Sequence, residues 1–366
     1  MRIFFRQSLG SSPFKRQVSI LKTRVTLGVV LGSGLLFGCA SQVAVLQAPP
    51  TNPVKPTVEQ TTTPVASAAP IKPAELVAPV EPGGAEQLVP ATPPTLPTPA
   101  PKRPPRIGLA LGGGAARGFA HVGVIQVLEE AGIKPALLTG TSAGSLVAAL
   151  HASGRNGHQL ERIAETMDEA TFADWTLPLF SRGMLRGDAL ARYVATQVGG
   201  RRIEELPVPL GILATELRSG QGVLFERGDI ATAVRASSAV PGVFQPVAIS
   251  GHEYVDGGLV APVPVRQARQ MGAELVIAVD ISQGPESGSP TDVFQILMQT
   301  FTIMGKSINS LELRGSDMVL VRPLLNGVSG TDFSARRRAI QAGRKAMLQA
   351  LPKLRAAIDA GMRELK

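Results

Sequence analysis

The sequence predicts an α/β fold, a mainly parallel central sheet with helices on both faces, built from Arg106 onward. Three observations predict it. Strand-like and helix-like segments alternate from that point. The runs 107–111, 275–280 and 318–322 are apolar enough to be interior strands, buried on both faces as parallel strands are. Glycine-rich turns join strand to helix at 112–118 and again at 140–144.

In chain order, the strand at 107–111 leads through the first glycine loop to an amphipathic helix at 119–131, ended by Gly132. A second strand at 137–141 feeds a helix at 143–152, and another helix lies near 159–167. Strands follow at 210–215 and 223–226, then a helix at 229–237. After the strands at 275–280 and 318–322, a long Arg/Lys/Ala/Leu-rich helix from Ser334 closes the chain. Roughly 260 residues suit one such unit. Arg186-Gly187-Asp188 reads as a helix start with Asp188 at its N-terminus. The triple arginine at 336–338 reads as a solvated helix face that could meet lipid headgroups.

The front of the chain is different. Residues 1–24 carry six basic side chains and no acid, which accounts for most of the net charge of +9. Residues 40–105 balance to zero and the domain carries the remaining +3, so no basic groove for nucleic acid is indicated. An apolar run at 25–38, too short to span a bilayer, fits a signal-peptide core that ends at Cys39, the one cysteine of the chain. Leu36-Phe37-Gly38-Cys39 resembles a bacterial lipobox, although Phe37 is bulkier than usual there. This makes 1–38 a lipoprotein signal peptide and Cys39 the lipidated first residue of the mature protein. Ordinary cleavage after Ala40 is the alternative. Ala40 rather than Asp after the cysteine resembles sorting to the outer membrane, with the protein facing the periplasm. Residues 39–105 are rich in Pro, Ala and Thr. Seventeen of the 30 prolines fall between 48 and 105, and this stretch reads as a disordered tether.

Gly140-Thr141-Ser142-Ala143-Gly144 has the Gly-x-Ser-x-Gly spacing of a nucleophile elbow. A serine on a sharp strand-to-helix turn needs small residues two positions either side, where the two backbones nearly touch. The loop Gly112-Gly113-Gly114-Ala115-Ala116-Arg117-Gly118 lacks the third glycine and the ribose-binding acid of a dinucleotide fold, and the Gly-Lys-Ser/Thr of a P-loop. Its exposed amides suit the oxyanion of an acyl transfer. No histidine follows His252, so the late histidine of an α/β-hydrolase triad is missing. His121, His151 and His158 read as structural or solvated. Asp256, delivered by a short strand into Gly257-Gly258, is the better base, since a desolvated carboxylate beside a serine hydroxyl can take its proton.

Together these residues resemble the bacterial patatin-like phospholipases. The likeness runs over 107–265, through 108–114 with Arg117-Gly118, Gly140–Gly144, Ala236-Ser-Ser-Ala-Val-Pro-Gly242 and Asp256-Gly-Gly258. It implies a three-layer α/β/α hydrolase domain over 106–366, with further strands and helices at 275–366. Ser142 would be the nucleophile and Asp256 its base. The amides of Gly113, Gly114 and Ala115 would form the oxyanion hole, with Arg117 beside it. Ala115 stands where the family pattern has a fourth glycine, which a negative φ would accommodate. The implied reaction cleaves carboxylic esters of phospholipids or lysophospholipids through an acyl-enzyme, with no metal or cofactor. An esterase or thioesterase on soluble acyl substrates, or a non-catalytic lipid-binding lipoprotein, would be the alternatives.

Overall fold

The computed structural model describes residues 102–174, 182–282 and 290–364. The chain divides into two compact units, 1–90 and 91–366; the first lies outside the described residues, as do the expected signal peptide, Cys39 and all of the tether before Lys102.

Eight strands form the main sheet: β1 (Ile107–Leu111), β2 (Leu137–Thr141), β3 (Leu210–Glu216), β4 (Gly222–Phe225), β5 (Val247–Ile249), β6 (His252–Asp256), β7 (Leu275–Val279) and β8 (Met318–Val321). Their order is β8-β7-β1-β2-β3-β6-β5, with β4 also paired to β3. The strands from β8 to β3 are mutually parallel, whereas β4, β6 and β5 join antiparallel. The expected parallel sheet is therefore correct for its centre and lacks the antiparallel end, which carries Asp256. The chain turns from β3 into β4 and from β5 into β6 by short connections, which need no crossover helix, whereas the helix Ile230–Ser237 lies between β4 and β5.

Alternation along the central strands builds two cores. Ile107, Leu109 and Leu111 of β1 face the larger one, where α1 (Phe119–Glu130), α2 (Ala143–Ala152), α3 (Gly157–Thr166), α4 (Asp188–Val198), α5 (Ile230–Ser237) and α8 (Arg336–Ala360) pack. Ala110 points the other way, to a smaller core with Val263, Val276 and residues of α6 (Val265–Gln270). Helices thus cover both faces, unequally. Local signals set the helix starts: Asn156 and Gln159 form a capping box on α3, and Asp229 accepts from Thr232 N at 2.7 Å to cap α5.

One region departs from the sequence-based expectation, and a second keeps to it while adding protein partners, since Arg337 and Arg338 are exposed as on a solvated helix face. The ordered fold begins before Arg106: Lys102–Arg103 pairs antiparallel with Arg363–Glu364, and Arg103 makes a two-pronged contact with Glu274 at 2.7 and 3.0 Å. The arginines at 336–338 bind protein: Arg336 donates to the Ala164 and Glu165 carbonyls at the end of α3, Arg337 pairs with Glu165, and Arg338 pairs with Asp332. A cation at a helix C-terminus is favourably placed for the exposed carbonyls and the dipole there.

The tightest helix contact is between α1 and α8. A Cβ on Gly123 would stand 2.0 Å from Ile340 O, and one on Gly343 would stand 1.9 Å from Ala120 O. Neither distance can be accommodated while the backbones stay where they are. Gly343→Ala is therefore expected to push α8 off α1 and to lower stability by about 1–3 kcal/mol. A urea midpoint unchanged from wild type would refute this.

Candidate active site

β1 and β2 are adjacent and parallel, so the glycine loop after one and the elbow after the other emerge side by side. The elbow depends on near-contact between backbones. A Cβ on Gly140 would lie 2.5 Å from Ser145 Cα, and one on Gly144 would lie 2.1 Å from Leu111 O. Ser142 at the apex has φ +52° and ψ −125°, a strained conformation for a residue with a side chain. Its backbone is held from both sides. Ser142 N donates to Ser237 Oγ at 2.8 Å, and its carbonyl accepts from Ser145 N at 2.8 Å and Ser145 Oγ at 2.6 Å. Ser237 Oγ in turn donates to Leu213 O at 2.6 Å, which ties the elbow to β3.

Asp256 arrives from the antiparallel end. Its backbone N donates to Ala239 O at 3.0 Å, its carbonyl accepts from Thr215 Oγ1 at 2.9 Å, and its carboxylate accepts from Gly258 N at 2.7 Å. The Ser142 side chain shares a cavity with the same carboxylate and favours its charged form. Asp256 is only 6% exposed, and burial raises its pKa from the usual 3.8 to about 6, against the Gly258 amide and the Ser142 side chain, which pull it down. Two of the motifs read from the sequence thus meet here, and the third, at 236–242, supports both through Ser237 and Ala239. Sequence reasoning quoted that motif without a role for its residues.

The loop amides are not equivalent. Gly112 N donates to Val279 O at 3.0 Å, and Gly113 N donates to Pro262 O at 2.9 Å, which takes the single hydrogen of each amide. Gly113 thus departs from the expected set of oxyanion donors. Gly114 N and Ala115 N have no acceptor among the described residues, and the first amides of α2 have no intrahelical acceptor by helix geometry. Ala115 has φ +49°, not the negative φ expected of an alanine there. The loop keeps its glycine-type backbone, and Ala115 bears a strain of order 1–2 kcal/mol. Gly118 is buried against α2, where a Cβ would stand 2.8 Å from Ala143 Cβ, and Gly257 sits under Leu213 O. Arg117 Nε donates to Ile281 O at 3.1 Å.

His121 is fully buried, and its Nε2 donates to Gly112 O at 2.8 Å. Burial lowers its pKa to about 4, so it is neutral and braces the loop, as a structural histidine. His151 bonds Arg155 O at 2.8 Å, and His252, 63% exposed, pairs with Glu216.

Ser142, Asp256, Gly113, Gly114, Ala115, Arg117 and Gly258 line one cavity of about 240 Å³. Its apolar walls include Val240, Pro241, Leu259 and Pro262, together with Phe301 and Met304 of α7 (Val293–Glu312). Sequence reasoning did not find α7. Its start is capped by Asp292, which accepts from Gln295 N at 2.8 Å. Much of its apolar surface is exposed, however, so no buried stripe marks it as a helix of the core.

The patatin-like phospholipase family model matches residues 109–269. A Mycobacterium tuberculosis protein described as an uncharacterized NTE family protein is 39% identical over 189 residues, 51% of this chain and 52% of that protein. The patatin-like phospholipase domain-containing protein 6 of Homo sapiens is 34% identical over 193 residues, 50% of this chain and 14% of that protein. The chain therefore spans about half the length of the mycobacterial relative and a small part of the human one. The crystal structure of VipD from Legionella pneumophila superposes with a TM-score of 0.46 at 16% identity, over 72% of this chain and 69% of that one. Ser142, Asp256 and the glycine loop all fall inside the segment that resembles the patatin-like phospholipase family.

Proposed function

We propose that the protein is a serine acyl hydrolase that cleaves carboxylic esters of phospholipids or lysophospholipids, with Ser142 as nucleophile and Asp256 as base. The observation that carries this reading is a strained serine whose side chain shares a cavity with a buried carboxylate, beside loop amides that have no acceptor among the described residues. Asp256 takes the Ser142 proton as Oγ attacks the ester carbonyl. The amides of Gly114 and Ala115, with the start of α2, stabilise the oxyanion. The proton on Asp256 then passes to the departing alcohol. Water, deprotonated by Asp256, cleaves the acyl-enzyme and returns Ser142 to its hydroxyl form. Every step uses groups of this chain, with no metal or cofactor called for.

A lipid substrate is favoured by α7. Between Val293 and Leu311 its one charged residue is Lys306, and Val293, Phe294, Ile296, Leu297, Ile303 and Met304 of this helix are exposed, Met304 also lining the cavity. An acyl chain leaving the cavity finds apolar surface there. Lipidation at Cys39 and a tether over 39–101 would keep such a site beside membrane lipid at the outer membrane of a bacterial envelope, facing the periplasm. Among the described residues no helix is long and apolar enough to cross a membrane.

A fluorophosphonate probe is expected to label the wild type and not Ser142→Ala; labelling of both would place the nucleophile elsewhere. Asp256 must be ionised to act as base, so turnover should rise with pH through about 6. Between pH 4 and 6 the folded protein keeps a proton on Asp256 that the unfolded chain has released. Stability contributed by this group therefore falls as pH rises through that window, by roughly 2–3 kcal/mol in all. Asp256→Asn is expected to lose at least 10²-fold in kcat yet to melt higher than wild type at pH 7.5, the difference vanishing near pH 4. Near-normal turnover in that variant would remove Asp256 from the reaction. Cys39→Ala should move the protein from the membrane to the soluble fraction, and retention on the membrane would count against lipidation there.

A further inference from the structure

A second cavity, of about 430 Å³, opens beside the first and shares Arg117, Ser282 and Lys306 with it. It lies at the carboxyl ends of β7 and β8, the edge of a parallel sheet where ligands bind in α/β folds. Its chemistry differs from the apolar walls around Ser142. Asp280, directly after β7 and 6% exposed, accepts from Ser282 N and Oγ, from Asn309 Nδ2 at 3.3 Å and from Arg322 Nε at 3.0 Å. The carboxylate is thereby satisfied and aligns Arg322. The terminal guanidinium nitrogens of Arg322 have no hydrogen bond among the described residues, and neither has the Lys306 ammonium. Asn309, 4% exposed, is one helical turn on from Lys306 in α7, and its Oδ1 is buried with no partner among the described residues. An orphaned buried acceptor is a cost that a ligand with a donor would remove.

Resting on the hydrolase reading above, we propose that this second cavity binds the headgroup of the substrate. The phosphodiester sits between Lys306 and Arg322, and a headgroup hydroxyl or ammonium donates to Asn309 Oδ1, while the ester lies at Ser142. An arginine whose Nε is already anchored presents its remaining N–H groups as a fixed fork, which suits the oxygens of a phosphate. The wall shared by the two cavities is what a single glycerophospholipid requires, because its phosphate and its ester carbonyls are separated only by the glycerol carbons. Lys306, Asn309 and Arg322 all lie beyond the segment 109–269, so the headgroup preference belongs to a different part of the chain from the reacting groups.

The test compares phosphatidylglycerol with a diacylglycerol of the same acyl chains, presented in identical detergent micelles to the full-length protein. Arg322→Gln and, separately, Lys306→Gln are expected to lower the ratio of kcat/KM on phosphatidylglycerol to that on diacylglycerol about tenfold, chiefly through KM. Arg322→Gln leaves Asp280 with one partner fewer, so circular dichroism should accompany it. Lys306 is exposed and makes no ion pair among the described residues, and its variant keeps the test valid if the first misfolds. Inorganic phosphate at millimolar concentration should compete with phosphatidylglycerol and not with diacylglycerol. An unchanged ratio in Lys306→Gln and in folded Arg322→Gln would overturn the assignment. So would phosphate binding that is lost in these variants while the ratio holds, since the cavity would then take a free ion. A wild type that neither hydrolyses either lipid nor takes up a fluorophosphonate would overturn the hydrolase reading itself, and this inference with it.

Discussion

A carboxylate almost wholly withdrawn from water beside a serine hydroxyl is unstable in two ways. Its charge resists burial, and nothing in the carboxylate itself keeps it pointed at its neighbour. At Asp256 the surrounding structure answers both. Gly258 N bonds the carboxylate and the Ser142 side chain favours its charged form, while Ala239 O and Thr215 Oγ1 hold its backbone. These two influences do not cancel the desolvation, so the pKa remains about 6 instead of falling below its ordinary value. That balance suits the role of base proposed for it: the group is ionised at neutral pH yet closer in basicity to the neighbouring serine hydroxyl than an exposed aspartate is.

The mixed sheet follows from the same requirement. The parallel centre presents loop and elbow together, because consecutive parallel strands end on the same edge. Asp256 must enter that edge from elsewhere, and β6 runs antiparallel to β3 so that its last residue stands opposite Ala214, next to Leu213, whose carbonyl anchors Ser237. Serine, aspartate and their supports are therefore joined through β3. No long-range coupling is needed to explain why residues more than a hundred positions apart in the chain stay in register.

What could be read from the sequence was whatever leaves a local signature. The strands of the sheet centre are apolar runs, the elbow is a spacing of small residues imposed by backbone contact, and Asp256-Gly257-Gly258 is a turn with a carboxylate at its head. Several features have no such signature. The bond from Gly113 N to Pro262 O depends on a segment 149 positions away in sequence, so no pattern in the loop reveals that this amide is spent. The positive φ of Ala115 runs against what an alanine suggests, and only the loop's tertiary contacts impose it. Helix α7 escapes because its apolar residues do not point into a core. Asp280 and Arg322 each stand one residue beyond an apolar strand and look like the strand's polar end, and their pairing exists only because β7 and β8 are neighbours.

The strain at Ser142 and Ala115 has a shared explanation. A side chain at positive φ is costly, and both residues are held there by contacts that the rest of the domain provides. At Ser142 the cost places Oγ at the apex of the turn, clear of the strand and helix that flank it. At Ala115 it keeps the loop in the conformation that leaves the Gly114 and Ala115 amides without an acceptor. Relaxing either residue to negative φ would turn a peptide group away from the cavity, giving back about as much energy as one ordinary hydrogen bond contributes. Since the amides of an oxyanion hole act on the transition state with more than that, the proposed hydrolysis would favour the strained loop, and an alanine can stand where a glycine would be easier.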